Sequence, residues 1–170
     1  MSSSREISVS DLLSTEAIIL NLTESNKILL LQFLCSRMSK AYLDIDPKQF
    51  FIGIMKRENE LSTGIGNHIA IPHTVADHTQ KLHLLFTTHT GIEYDSLDGK
   101  PVRLIFMLAI PPAEKQLYSV FLMKVSQLMR ISEFRDALIE AKTPEEVIEL
   151  FKKYEKADRQ ENEFVHKQIY

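Results

Sequence analysis

The chain has 170 residues, 44% hydrophobic and 25% charged, a composition that suits one globular domain large enough to bury its own core. A formal net charge of −3 provides no overall basic surface for nucleic acid or anionic lipid, and a single cysteine excludes an internal disulfide or a multi-cysteine zinc site. No run approaches the ~20 apolar residues that span a bilayer, and Met1-Ser-Ser-Ser-Arg-Glu6 lacks the apolar core of a secretory signal, so a cytoplasmic location without membrane insertion is expected.

Thr23 or Ser25 can cap a first helix running to about Lys40, with Ile28, Leu29, Leu31, Phe33 and Leu34 as a broad apolar face. Cys35 sits in that apolar run and reads as a buried, inert thiol. Asp46-Pro47 is an N-cap followed by proline at the first helical position, and Phe50, Phe51, Ile54 and Met55 supply the buried stripe of a second helix ending near Arg57. Leu82 to Thr88 and Val102 to Ile110 have strand length and composition. The second is almost continuously apolar, as a strand covered on both faces should be. Asp98-Gly-Lys-Pro101 between them is a turn. After Pro111-Pro112, helical spacing returns at Leu117, Phe121, Val125 and Leu128, and Ser132 can cap a short helix through Leu138. Thr143-Pro-Glu-Glu146 opens a last helix with a capping box and proline. Its tail, Lys152 to Gln168, is charged and reads as frayed or solvated. Helices, then strands, then helices predict a single α/β domain with a small mixed β-sheet flanked by helices on both faces.

The chemistry concentrates between Arg57 and His73. Thr63-Gly-Ile-Gly-Asn67 can turn backbone N–H groups inward around an anion, because glycine tolerates positive φ. Ile69-Ala-Ile71 reads as a short buried strand that Pro72 interrupts, leaving His73 at its exit. A neutral imidazole there can attack phosphorus and later release the phosphoryl group. Arg57 can offer a bidentate fork to phosphate oxygens. Glu58 and Glu60 read as surface or loop-bracing carboxylates, and Thr63 can either donate to phosphate or brace a turn. His68, His73, His78 and His83 recur every five residues, but that interval alternates faces on a strand and rotates out of line on a helix, so no metal is expected. Gly64-Ile-Gly66 lacks the third glycine and the following helix of a dinucleotide fingerprint, and no cofactor is expected.

The run Arg57-Glu58, then Ser62-Thr-Gly-Ile-Gly-Asn-His-Ile-Ala-Ile-Pro-His73, resembles the active-site signature of the type-2 (mannitol/fructose family) enzyme IIA domains of the bacterial phosphoenolpyruvate-dependent phosphotransferase system. Tyr94-Asp-Ser-Leu-Asp-Gly-Lys-Pro-Val102 is similar to the family's Phe-Asp-Ala-Leu-Asp-Gly-Lys-Pro-Val segment, and Val9-Ser-Asp-Leu-Leu13 to its opening. The resemblance covers residues 6–153, with 1–5 and 154–170 as terminal extensions. It implies a mixed sheet with the site at its edge loops, a phosphoryl group carried on His73 and an arginine, matched by Arg57, beside it. Thr63, Gly64, Gly66 and Asn67 would form the phosphate loop. The implied donor is the system's phosphocarrier protein, and the implied acceptor is a IIB domain or a regulatory target. The chain would thus be a phosphotransfer component rather than a stand-alone small-molecule enzyme.

Two departures stand out. His68 replaces a glycine usual in the family. The second histidine that many members carry after the Ala-x-Pro strand end is absent from Ala113 to Val120, where Tyr118 falls at or near the position, with Gln116 and Ser119 as rivals. A phenol or amide can hydrogen-bond but adds no positive charge at neutral pH. His68 could stand in for the missing group. The lost histidine, and the lack of an attached IIB, IIC or phosphocarrier segment, favour a regulatory role like that of the nitrogen-related IIA proteins, with passage of phosphate to a fructose- or mannitol-type IIB domain as the alternative.

Overall fold

The computed structural model of the protein describes residues 6–169, so the extension expected at residues 1–5 lies outside the described residues. In chain order the elements are α1 (Val9–Leu12), β1 (Ile18–Leu22), α2 (Lys27–Ala41), α3 (Pro47–Glu60), β2 (Gly64–Gly66), β3 (Ile69–Ala70), β4 (His73–Val75), β5 (His83–Ile92), β6 (Val102–Ile110), α4 (Leu117–Leu128), α5 (Ser132–Glu140) and α6 (Pro144–Ile169). The strands form one mixed sheet in the order β1-β5-β6-β3-β2, with β4 also on β6. β1 runs parallel to β5, β5 antiparallel to β6, and both β3 and β4 parallel to β6.

β6 is the spine because its apolar residues serve two cores. Leu104, Phe106, Leu108 and Ile110 face one cluster with Leu84, Phe86, Phe121, Phe134 and Phe151. Ile105, Met107 and Ala109 face the other, with Leu30, Leu31, Leu34, Phe50 and Ile54 from α2 and α3. Helices therefore cover both faces, as the apolar continuity of β6 requires. Cys35 is buried in the second cluster, and burial pushes its thiol up to about 12, which keeps it protonated and inert.

The helix starts differ from expectation in detail. Asn26, rather than Thr23 or Ser25, caps α2 by accepting from the Leu29 N–H at 3.0 Å. All three residue types cap well; the end of β1, a strand without a clear signal in the sequence, decides which one stands at the boundary. Leu30, Cys35 and Met38 join Leu31 and Leu34 in the core, while Ile28, Leu29 and Phe33 stay exposed on the flank of the helix. Asp46 caps α3 as expected, accepting from Gln49 N–H at 2.8 Å, but the helix continues past Arg57 to Glu60. Ser132 is the first residue of α5 and makes no cap; its hydroxyl turns to Glu133. Thr143 accepts from the Glu146 N–H at 3.2 Å, while the Glu146 carboxylate reaches the Lys142 N–H at 2.6 Å.

The charged tail is helical to Ile169 rather than frayed, though exposed from Arg159 to Lys167. Packing reaches well into it. Tyr154 stacks on Phe134 at 4.2 Å, and Lys124 pairs with Asp158 at 2.8 Å. Buried Glu155 accepts from Val9 N–H (2.5 Å), Ser10 N–H (3.1 Å) and the Ser10 hydroxyl (2.7 Å), closing the free amides of α1.

β2 and β3 form a hairpin whose turn residues, Asn67 (φ 52°) and His68 (φ 66°), are both left-handed. That is a two-residue turn of the type that favours Asn-Gly. A histidine in this conformation costs about 1–2 kcal/mol, partly offset here by a 2.8 Å contact between Nδ1 and the Pro101 carbonyl. His68→Gly is expected to raise stability by about 1 kcal/mol, or roughly 2–4 °C in Tm. Thermal unfolding that shows no gain would mean that the Pro101 bond outweighs the backbone strain.

Candidate active site

Pro72 cannot donate to a ladder, so the edge alongside β6 is broken between β3 and β4. The Pro72 carbonyl still accepts from Leu108 N–H at 3.0 Å, and pairing resumes with His73 opposite Leu108. His73 is thus the first residue of a second short strand, anchored on both sides of the break. Its Nδ1 lies 2.8 Å from the Ile71 carbonyl oxygen. A carbonyl can only accept, so Nδ1 carries the proton and Nε2 keeps its lone pair.

One side chain stacks on the imidazole and another acts on it by charge. Tyr118, near the start of α4, stacks on it with ring centroids 3.8 Å apart and planes 20° apart. The neighbouring Gln116 and Ser119 are exposed, so of the three rivals Tyr118 is the one on the imidazole. Arg57, in the last turn of α3, donates from Nη1 to the Leu61 carbonyl at 2.7 Å, and its charge acts on both rings. Burial pushes the Tyr118 phenol up against the pull of Arg57, which leaves it a neutral hydrogen-bonding group. Burial also holds His73 below the ordinary imidazole value; the Ile71 bond opposes this, Arg57 adds to it and Glu58 opposes it weakly.

The sign of that shift makes a prediction. The folded state favours neutral His73, so its contribution to stability is full above the unfolded value of about 6.5 and is lost as pH falls through the lowered folded value. A free Nε2 lone pair should therefore persist below pH 6.5. A His73 titration followed by NMR is expected to fall acid-side of a model histidine; a midpoint at or above 6.5 would contradict it.

The other expected site residues are engaged elsewhere. Thr63 N–H and hydroxyl both donate to Glu58. Gly64 N–H donates to the Ser62 hydroxyl, and Asn67 N–H to Asp98. Gly64 and Gly66 form strand β2 rather than an open nest: a Cβ on Gly64 would strike Ser96, and Gly66, at φ +100°, lies against Asp98. The donors expected around an anion are thus held by the protein's own hydroxyl and carboxylate groups. His68 stands in the turn just before β3, five positions from His73 along β6, or about 16 Å. It therefore cannot substitute for a second imidazole at His73. Among the described residues, no group of three or more His, Cys, Asp and Glu side chains could hold a metal ion.

Comparison with known proteins places the chain in a family. The family described as "Phosphoenolpyruvate-dependent sugar phosphotransferase system, EIIA 2" matches residues 11–154. The chain belongs to that family. It is thereby an EIIA-type component of the phosphotransferase system. It is 30% identical over 149 residues to the fructose-specific EIIABC component of Bacillus subtilis, covering 87% of this chain but only 24% of that protein's length. It is 27% identical to the nitrogen regulatory protein of Pseudomonas aeruginosa, covering 78% of this chain and 86% of that one. The nitrogen regulatory protein IIA-Ntr of Neisseria meningitidis superimposes with a TM-score of 0.77 at 24% identity, over 84% of this chain and 98% of the other. Mannitol IIA of Escherichia coli does so at 0.71 and 20%, over 82% and 98%; these two likenesses concern the fold. No helix among the described residues of the EIIA domain is long and apolar enough to cross a membrane.

Sequence reasoning about this EIIA domain missed three participants. Lys27 opens α2 and sends Nζ to Glu58 (2.9 Å) and to the Tyr94 carbonyl (2.9 Å). Tyr94 is fully buried beneath it, with the ammonium 4.2 Å from the ring centroid. The Ile71 carbonyl is backbone, invisible to any reading of side chains. Only Tyr94 left a trace, as the tyrosine standing where the resembling motif has phenylalanine.

Proposed function

We propose that His73 accepts a phosphoryl group at Nε2 from a phosphohistidine of the system's phosphocarrier protein. The Nε2 lone pair attacks phosphorus, the donor P–N bond breaks with its electrons returning to the donor imidazole, and a new P–N bond forms on His73. Nδ1–H stays on the Ile71 carbonyl throughout, so the ring keeps the tautomer that phosphorylation at Nε2 needs. Arg57 is placed to exchange the Leu61 carbonyl for the phosphoryl oxygens, since phosphoryl transfer asks mainly for positioning and charge neutralisation. The observation that carries this reading is the Nδ1 contact with Ile71, which leaves Nε2 unbonded. Incubation with phosphoenolpyruvate, enzyme I and phosphocarrier, followed by 15N and 31P NMR, should give the Nε2 isomer. A phosphoryl group on Nδ1 would defeat the mechanism.

The proposed consequence is regulatory: phosphorylation alters which partner the domain engages. Tyr118 stacks where many family members carry an imidazole, so Arg57 is the cation whose charge acts on His73, and the added charge of about −1.5 to −2 changes the local field more than it prepares onward transfer. Identity to a fructose-specific component supports the second reading, delivery of phosphate to a IIB domain in sugar uptake. Tyr118→His separates them. Under the regulatory reading it should raise transfer to a fructose-type IIB domain roughly tenfold or more, the effect of one charge-assisted hydrogen bond. Rapid transfer by the unaltered protein would favour uptake.

A further inference from the structure

We propose that Lys27 and Glu58 are positioning residues for His73, acting through a hydrogen-bonded line that passes from Glu58 through Thr63 and Ile71 to the imidazole. Glu58 Oε1 accepts from Lys27 Nζ at 2.9 Å and from Thr63 N–H at 3.0 Å. The Thr63 carbonyl accepts from Ile71 N–H at 3.0 Å, and the Ile71 carbonyl accepts from His73 Nδ1–H at 2.8 Å. The line crosses three elements, α2, α3 and the β2–β3 hairpin, before it reaches the reacting ring.

Each link constrains the next. Glu58 is 6% exposed and also receives the Thr63 hydroxyl and the Tyr94 phenol. A carboxylate so deeply placed needs its donors, and Lys27 is its cation. Thr63, held at both N–H and hydroxyl, fixes the carbonyl that grips Ile71 N–H. Pro72 restricts Ile71 from the other side, because the residue before proline is confined to extended backbone. The Ile71 carbonyl is therefore aimed from both directions, and that aim keeps the proton on Nδ1. If Thr63 loosens, the ring is free to take the Nε2–H form, which has no lone pair where the phosphoryl group must bond.

The same residues act on His73 by charge. The groups that act on it are Arg57 and Glu58 from α3, by charge, and Tyr118 from α4, by stacking. Lys27 neutralises Glu58, leaving Arg57 dominant; without Lys27 the buried carboxylate would counter Arg57 and repel an incoming phosphoryl group.

The kinetic consequence rests on the proposal that His73 is the phosphoryl acceptor; the tautomer does not, which keeps the two separable. The test is 15N NMR of the His73 ring across pH in the full chain, together with phosphorylation rates. Lys27→Met should populate the Nε2–H tautomer, move the His73 titration alkaline, and slow phosphoryl acceptance roughly ten- to a hundredfold. Lys27→Arg should restore all three, and adding Glu58→Gln to Lys27→Met should return the titration towards the original. Lys27→Gln, which keeps a donor to Glu58 but no charge, serves if Lys27→Met does not fold, and should move the titration in the same direction. Variants that lower only Tm, with tautomer, titration and rate unchanged, overturn the proposal. A shifted tautomer in a protein that is never phosphorylated would sustain the positioning and reject the phosphoryl role.

Discussion

Replacing His73 with alanine is expected to abolish phosphorylation: incubation with phosphoenolpyruvate, enzyme I and phosphocarrier should leave no acid-labile, base-stable label. The loss should be complete because His68, His78, His83 and His89 offer no comparable nitrogen, and His166 lies exposed in the last turn of α6. Both ring nitrogens of His89 are engaged, one with the Glu24 carbonyl and one with Gly91 N–H, and the ring is buried. His83 is bound to Asp44 and stacked on Tyr42. His68 sits at the hairpin turn against Pro101, and His78 is exposed with no neighbouring Arg57 and Tyr118 around it. The fold should survive, since β4 is held to β6 by backbone pairing that alanine keeps. Full labelling of a folded His73→Ala protein would move the site elsewhere.

Arg57→Lys is the second large effect. Charge is kept but the planar fork is lost, and a single ammonium cannot hold two phosphoryl oxygens in fixed geometry. Loss of one charge-assisted hydrogen bond is worth about 1.5–3 kcal/mol, which predicts phosphoryl acceptance slower by roughly 10- to 150-fold. Stability should change little, because Arg57 gives α3 one bond to the Leu61 carbonyl, which an ammonium can replace, and a favourable charge in its last turn. Transfer kinetics that match the original protein would reduce Arg57 to a helix-end charge.

Where the residues carried their own local instructions, they were readable. The Asp46-Pro47 start of α3, the unbroken apolar run of β6 and the paired covering of the sheet follow from capping and burial rules that act within a few residues. β1 was not readable, because five residues with mixed burial at a sheet edge leave little periodicity. The true cap of α2 went unseen with it. The Gly64–Gly66 stretch has glycines that suit either an anion nest or a hairpin with close backbone approach. The choice was made by Asp98 and Ser96, which stand more than 30 residues further along the chain.

The same division runs through the site. By itself the sequence determined the main helices, the two long strands and the chemistry available: an imidazole after a proline-broken strand, an arginine at a helix end, and a tyrosine in place of a second histidine. These are local facts of residue type and spacing. Only the tertiary structure decided that Tyr118 lies on the face of His73, that His68 is remote from it, and that Thr63 serves Glu58 rather than an open loop. It alone brought Lys27 to Glu58 and the Ile71 carbonyl to Nδ1. The reason is physical. A ring nitrogen's proton is assigned by the acceptor that meets it, and a buried carboxylate's partners by the segments that pack around it. The first contact spans only two residues but is aimed by the pairing of β3 and β4 on β6, and the second brings Lys27 and Tyr94 to Glu58 from more than 30 residues away; spacing along the chain encodes neither.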